Sequence, residues 1–357
     1  MKILIDIGHP GHVHLFKNLI NKMTKDGHEF YITARDKEVA ISLLNNYNFK
    51  YYNRGKGYNG FLGKAFGMLI IDFKIWIQAL KFKPDILIGG VGNLYIAQVA
   101  KLLRKPSIIF DDTEHAILEL AFVKKLATCI ITPDVFQTDL GKKQIKYAGY
   151  HELAYLHPKY FTPDLKVHEL LGIDANQKYV ILRFVSWNAS HDSGQSGFIN
   201  EDKIKLVNEL SKIVKVFISA EGKIPAVIEK HQIKIAPEKM HDVLAGAELF
   251  VGEGATMASE AVCLGTPAIY VNSLSVCYCT DQEKYGLLFH FKNSNGAIEK
   301  AISLLGEKKL KQDLEEKHVK LLETKIDVTA FMIWFIENFP MSEEIMKENP
   351  HYQYNFK

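Results

Sequence analysis

The 357-residue chain has little cysteine and no long apolar run, and both shortages exclude fold classes. Four cysteines, Cys129, Cys263, Cys277 and Cys279, are too few for a disulfide scaffold at this length. The spacing Cys277-Tyr278-Cys279, with no second pair, does not make a zinc knuckle. All four read as free thiols of a reducing compartment. The greasiest stretch, Met68 to Leu80, is broken by Asp72, Lys74 and Gln78 and falls short of the roughly 18 uninterrupted apolar residues of a membrane span. The N-terminus, Met1-Lys2-Ile3-Leu4-Ile5-Asp6-Ile7-Gly8, lacks a long apolar core and a small-residue cleavage site, so it reads as a first β-strand and not an export signal. There is no internal repeat, low-complexity tract, helix-turn-helix pattern or RNP-like aromatic strand, and nucleic acid is not an expected partner.

What remains is a globular chain, 47% apolar, long enough for two packed domains. Its net charge of +3 conceals an asymmetry: residues 1–150 hold 21 Lys+Arg against 13 Asp+Glu, and the rest 23 against 28. A basic first half suits anionic partners such as lipid headgroups or phosphorylated carriers.

Apolar β-rich runs alternate with helical periods. Lys2–Ile7 is followed by a helix with Val13, Phe16, Ile20 and Met23 on one face, and then by Glu29–Thr33. The rhythm continues through Asp85–Ile88, Leu94–Leu103, Ser107–Phe110, Ile117–Leu126 and Cys129–Ile131, which predicts a parallel sheet with helical crossovers. Residues 150–177, with Pro158, Pro163 and Gly172, read as a connection. A second series follows, with strands at Tyr179–Phe184, Val216–Ser219, Leu249–Val251 and Ala268–Val271 and a helix near Thr256–Leu264. The expectation is an α/β chain of two Rossmann-like doubly wound domains, with ligand in a cleft outside the carboxyl ends of the strands. The first domain takes residues 1–155 and the second 176–325. Residues 326–357 form a helix, striped by Val328, Met332, Phe335 and Phe339, and a tail that returns to the first domain.

Two loops carry chemistry. Gly8-His9-Pro10-Gly11-His12-Val13-His14 leaves the first strand and opens a helix, where free amides favour an anion, and it is not the G-x-G-x-x-G of dinucleotide sites. A histidine at this lip suits proton abstraction from a hydroxyl, while His9, His12 and His14 equally suit capping and packing. Gly252-Glu253-Gly254-Ala255-Thr256-Met257-Ala258-Ser259-Glu260 ends a strand and opens a helix whose amides suit a diphosphate. Glu260, one turn in, has two adjacent acceptor oxygens for the hydroxyls of a ribose, or is an ordinary surface glutamate. Arg183 suits a diphosphate contact or a salt bridge. Ser186, Trp187 and Ser193-Gly194-Gln195-Ser196-Gly197 suit a ligand-lining or mobile loop. Asp111 and Asp112 diverge at a strand end, and no histidine or carboxylate cluster has metal-ligand spacing, so no metal is expected.

The Gly11-His12 loop with its helix through Gly27-His28-Glu29, together with Glu260-Ala261-Val262-Cys263-Leu264-Gly265-Thr266-Pro267, resembles the GT-B glycosyltransferases. The parallels are the plant-type UDP-sugar transferases and the N-acetylglucosaminyltransferase that makes lipid II. More narrowly, Asp111-Asp112-Thr113-Glu114-His115-Ala116 and Gly149-Tyr150-His151-Glu152-Leu153-Ala154-Tyr155-Leu156 resemble a GT-B-like family known as domain of unknown function 354, over nearly the whole chain to about Phe339. The resemblance implies that His12 is the base, Glu260 the ribose ligand and Asp281-Gln282 the contacts to donor-sugar hydroxyls. Gly11, Gly254, Ala255, Thr256 and Ser259 line the nucleotide-sugar site in that reading. Glu253 departs from the relatives by placing a negative charge beside the diphosphate.

The implied function is transfer of a sugar from a UDP-sugar to a hydroxyl acceptor of cell-surface polysaccharide or glycolipid synthesis. The UDP-sugar is a co-substrate and no cofactor is needed. One alternative is a UDP-N-acetylglucosamine 2-epimerase, for which Glu114 and His115 would be acid and base. Its first loop normally carries Arg-Pro-Glu, and a later strand end an Asp followed by threonines. Here stand Gly8-His9-Pro10-Gly11-His12 and Gly89-Gly90-Val91-Gly92-Asn93. A second alternative is a non-catalytic nucleotide-sugar-binding protein.

Residues 56–83 combine Phe61, Leu62, Phe66, Leu69 and Trp76 with Lys56, Lys64, Lys74, Lys81 and Lys83. Such a segment suits peripheral contact with the inner face of a membrane, or a helix packed on the first sheet.

Overall fold

The computed structural model describes residues 1–37, 39–58, 61–186, 196–307 and 310–357. The chain forms two compact units, residues 1–155 with 325–357, and residues 156–324.

The first unit is built on seven parallel strands, β1 (Lys2–Ile7), β2 (Glu29–Arg35), β3 (Tyr51–Gly55), β4 (Ile86–Gly89), β5 (Ser107–Phe110), β6 (Cys129–Pro133) and β7 (Gln144–Tyr147), in the order β3-β2-β1-β4-β5-β6-β7. The crossover helices are α1 (Pro10–Lys25), α2 (Ala40–Asn46), α3 (Phe61–Phe82), α4 (Leu94–Leu103) and α5 (Ile117–Leu126). Right-handed crossovers place α1 and α2, which run toward β3, on one face of the sheet, and α3, α4 and α5, which run toward β7, on the other. Helix α1 buries Val13, Phe16, Ile20 and Met23 on the sheet, as its periodicity predicts.

The second unit has five parallel strands, β8 (Tyr179–Phe184), β9 (Lys215–Ala220), β10 (Leu249–Gly252), β11 (Ala268–Val271) and β12 (Leu288–Phe291), in the order β12-β11-β10-β8-β9. Helix α6 (Leu153–Leu156) spans the boundary between the units. Helices α7 (Val167–Leu171), α8 (Asn200–Leu210), α9 (Met240–Ala245), α10 (Ala255–Cys263), α11 (Cys277–Lys284), α12 (Ala297–Gly306) and α13 (Leu310–Thr324) follow in this unit. Residues 156–177 are not a loose connection: the Asp242 carboxylate accepts the Asp164 amide at 2.9 Å, and Val167 is buried.

The chain then returns to the first unit as α14 (Val328–Glu337) and α15 (Met341–Glu348). Helix α14 packs on α1 and buries Phe331, Met332, Phe335 and Ile336 completely. The final residues, patternless in sequence, form a 3-10 turn over Pro350–Phe356 whose Gln353 accepts the Ala148 amide at 2.6 Å.

Both sheets reverse direction once. In the first the reversal lies between β1 and β4, and in the second between β8 and β10. The carboxyl ends of those four strands are the places where an open parallel sheet leaves a crevice.

Candidate functional site

The loop after β1 lies at the first reversal. His9 caps α1 by accepting the Gly11 amide at 3.2 Å, and His12 accepts the Gly8 amide on Nδ1 at 3.3 Å. A neutral His12 therefore carries its proton on Nε2. Burial, reinforced by His9, pulls its pKa from 6.5 down to about 3. Gly90, after β4, is needed here because a Cβ would lie 2.7 Å from the His12 ring. His14 turns away, stacks on Tyr155 and is buried. His12, expected to be the base, turns Nδ1 to the Gly8 amide in this geometry, so that its neutral ring presents Nε2–H as a hydrogen-bond donor.

Beneath the loop lies a buried polar floor that the sequence reading missed. Asp6 of β1 holds Arg54 of β3 in a fork, at 2.8 and 2.9 Å, and also accepts from Thr33 Oγ1 at 2.6 Å and Asn93 Nδ2 at 2.8 Å. Arg54 lies over the Tyr95 ring, and its Nη1 makes no hydrogen bond among the described residues. Burial pushes the neighbouring Asp72 carboxyl up to about 7 against the opposing charge of Arg54. The available signal was Asp6 itself, a carboxylate inside an apolar strand that demands a cation.

The two aspartates after β5 diverge as expected. Asp111 accepts the Gly92 and Thr113 amides, each at 2.9 Å, and burial pushes its carboxyl up to about 6. Asp112 meets Nδ1 of His151 at 3.0 Å. Burial raises the Asp112 carboxyl, but the charge and hydrogen bond of His151 outweigh it and hold it below its usual value. His151 is buried, stacks on Tyr147 and leaves Nε2 without a hydrogen-bond partner among the described residues. When the His151 ring is neutral, the carboxylate fixes the proton on Nδ1 and leaves a lone pair on the buried Nε2. Glu114, by contrast, commits its carboxylate to the Gln137 and Thr138 amides. His115 is half-buried, and its Nε2 has no hydrogen-bond partner among the described residues.

At the second reversal, β10 runs into α10 through Gly252, Glu253 and Gly254. Gly254, Ala255 and Thr256 are accessible, and the first-turn amides of a helix have no partner inside it. Glu253 does not face this opening. It is buried, accepts the Val185 amide at 2.9 Å and the Phe198 amide at 2.8 Å, and has Lys203 at 3.8 Å. The negative charge expected beside the diphosphate is thus turned inward, and burial pushes the carboxyl up against the pull of Lys203.

Glu260 is no surface glutamate: it is buried and meets His241 Nε2 at 3.0 Å. Ser259 and Gln282 bind each other, Nε2 to Oγ at 2.8 Å, and Gln282 is fully buried. These two therefore join α10 to α11. Asp281 is buried beside Lys284 at 3.4 Å. Arg183 at the end of β8 takes its salt-bridge alternative, bonding Ser219 at 2.7 Å and Glu221 at 2.6 Å, and Ser186 leans on the same Glu221. Trp187 and residues 193–195 lie outside the described residues. Among the described residues no group of three histidines, cysteines or carboxylates is placed to hold a metal ion.

Residues 1–334 match a family described as protein of unknown function, DUF354. The chain belongs to that family. An uncharacterised protein of Methanocaldococcus jannaschii is 27% identical over 282 residues, covering 75% of this chain and 81% of its own. The DUF354 chain is also similar in structure to the S. aureus MnaA–UDP co-structure (TM-score 0.69, 12% identity, 95% and 96% of the two chains). It is similar to the UDP-GlcNAc 2-epimerase from Neisseria meningitidis bound to UDP-GlcNAc (0.66, 13%, 91% and 99%). Another similar structure is the spinosyn rhamnosyltransferase SpnG complexed with spinosyn aglycone (0.63, 13%, 95% and 100%). The DUF354 chain has the GT-B fold, two Rossmann-like domains, shared by glycosyltransferases and UDP-GlcNAc 2-epimerases.

Proposed function

We propose that this protein transfers a sugar from a UDP-sugar to the hydroxyl of a glycan or lipid-linked acceptor. The observation that carries the reading is the α10 opening: accessible amides at a helix N-terminus, at the strand reversal of the second sheet, with the Glu260–His241 pair one turn behind. Amides there hold the diphosphate and stabilise it as it leaves. On the first unit, the acceptor hydroxyl gives its proton to His151 Nε2 while its oxygen attacks the anomeric carbon and the bond to UDP breaks. Asp112 keeps His151 in the tautomer that accepts, and His12 donates a hydrogen bond from Nε2. The similarity to structures whose names include UDP and UDP-GlcNAc supports a nucleotide-sugar ligand.

The epimerase reading is second. It needs Glu114 as a mobile acid, and that carboxylate is committed to two backbone amides.

The test is incubation with labelled UDP-sugars. Release of UDP with slow hydrolysis or transfer supports the transferase, an isomerised sugar the epimerase, and calorimetric binding without turnover a binding protein. His151→Asn should lower turnover about 10²–10⁴-fold, the range for a lost general base, with UDP affinity unchanged. His12→Ala should cost less, because it removes a donor and not the base. The reverse ranking returns the base to His12.

A further inference from the structure

The face of the first unit formed by α3, α4 and α5 carries apolar side chains on its water side. On α3, Phe66, Leu69, Phe73 and Leu80 are exposed and fall within about 60° of one another at 3.6 residues per turn. Ile71, Ile75 and Ala79 lie on the nearly opposite side and are buried. The helix is thus apolar on two faces, only one of which the sheet covers. An ordinary surface helix keeps its outer face polar.

Helix α4 packs between α3 and α5, and α5 continues the surface with Ile117 and Leu118, each 73% exposed, and Phe122 at 52%. Every exposed phenylalanine among the described residues, Phe66, Phe73 and Phe122, lies on this one layer.

The charge of the layer identifies its partner. The three helices contain two acidic residues, Asp72 and Glu119, of which only Glu119 is exposed. Exposed Lys81, Lys101, Arg104, Lys105, Lys124 and Lys125 lie in the helices or just beyond them. None of these six has an ion-pair partner among the described residues. A folded protein partner would meet so broad an apolar surface with a matching concave one. A bilayer with anionic headgroups needs no matched shape and satisfies both features together: apolar side chains enter the interface, and unpaired cations meet lipid phosphates. No helix among the described residues is long and apolar enough to cross a membrane, so the contact is peripheral.

We propose that the outer face of α3, α4 and α5 docks this protein on an anionic lipid bilayer. The docking does not depend on which sugar chemistry the protein performs.

Sedimentation of the full chain with vesicles of phosphatidylcholine, with and without phosphatidylglycerol, tests it. Binding should require the anionic lipid and weaken with salt, and each cation removed by Lys101→Gln, Lys124→Gln or Lys125→Gln should weaken it by about fivefold. The variant Leu69→Ser with Phe73→Ser and Phe122→Ser should weaken it at least tenfold and keep a cooperative thermal unfolding transition, since more than half of each residue is already in water. No binding to anionic vesicles at low salt overturns the proposal, as does unchanged binding by the serine variant. Sedimentation velocity without lipid decides the rival occupant: a stable dimer of the wild type that the serine variant abolishes makes the face a self-interface and also overturns it. UDP affinity, measured on the same samples, reads the proposed function separately from the docking.

Discussion

A histidine held neutral by burial leaves a thermodynamic trace that can be read without any substrate. His12 titrates near 6.5 in the unfolded chain and near 3 in the fold. Between those values the unfolded state binds the extra proton, so the stability that His12 contributes is complete above pH 6.5 and is lost as pH falls toward 3. Asp111 and Asp72 have the opposite sign, because their raised folded values make the native state bind the proton first. The measurement is therefore a difference. The stability of wild type minus that of His12→Gln should fall as pH drops from 7 to 4, with a limiting slope of about 1.4 kcal/mol per pH unit. Parallel chemical-denaturation curves across that range would remove the buried, neutral His12. Residue identity made the His12 loop legible in the sequence, but not its tautomer. That depends on the Gly8 amide and on the absence of a side chain at Gly90, which only the folded loop brings together. The Asp112–His151 pair was hidden for a similar reason, since 39 positions of sequence separate its partners.

Among the elements, Glu253 acts as a knot. One buried carboxylate holds the residue after β8, the segment just before α8 and the turn after β10 in a single position. Glu253→Ala would strand the Val185 and Phe198 amides at about 1–3 kcal/mol each. Hydrogen exchange should show those two amides opening well before the β8 and β10 ladders. Protection equal to wild type would mean that water replaces the carboxylate without loss. The strands that sequence reading overlooked, β3, β7 and β12, are all sheet edges. An edge strand is half exposed, so its residues, Tyr51-Tyr52-Asn53-Arg54-Gly55 or Gln144-Ile145-Lys146-Tyr147, lack the continuous apolar run that marked β1, β5, β8 and β11. Missing β3 also concealed Arg54, and with it the partner of Asp6.

For the molecule as a whole, the segment 325–357 completes the first unit. Phe331, Met332, Phe335 and Ile336 are fully buried, and at about 1.5–3 kcal/mol for each such side chain their loss is comparable to the stability of an ordinary domain. Thr329 Oγ1 also donates to the Ala154 carbonyl at 2.6 Å. A chain ending at Thr324 should keep a cooperative transition for the second unit and lose that of the first, as followed by calorimetry and by hydrogen exchange in β1 and β4. Two intact transitions would show that α14 is dispensable. The same return of the chain sets an order in time. A ribosome releases β1 to β7 first, yet their cover arrives only after all 169 residues of the second unit have been made, on the order of ten to thirty seconds later. The unit that is synthesised first is therefore the one that finishes last. Throughout that interval its apolar α1 face waits without α14, a natural client for a chaperone on the nascent chain.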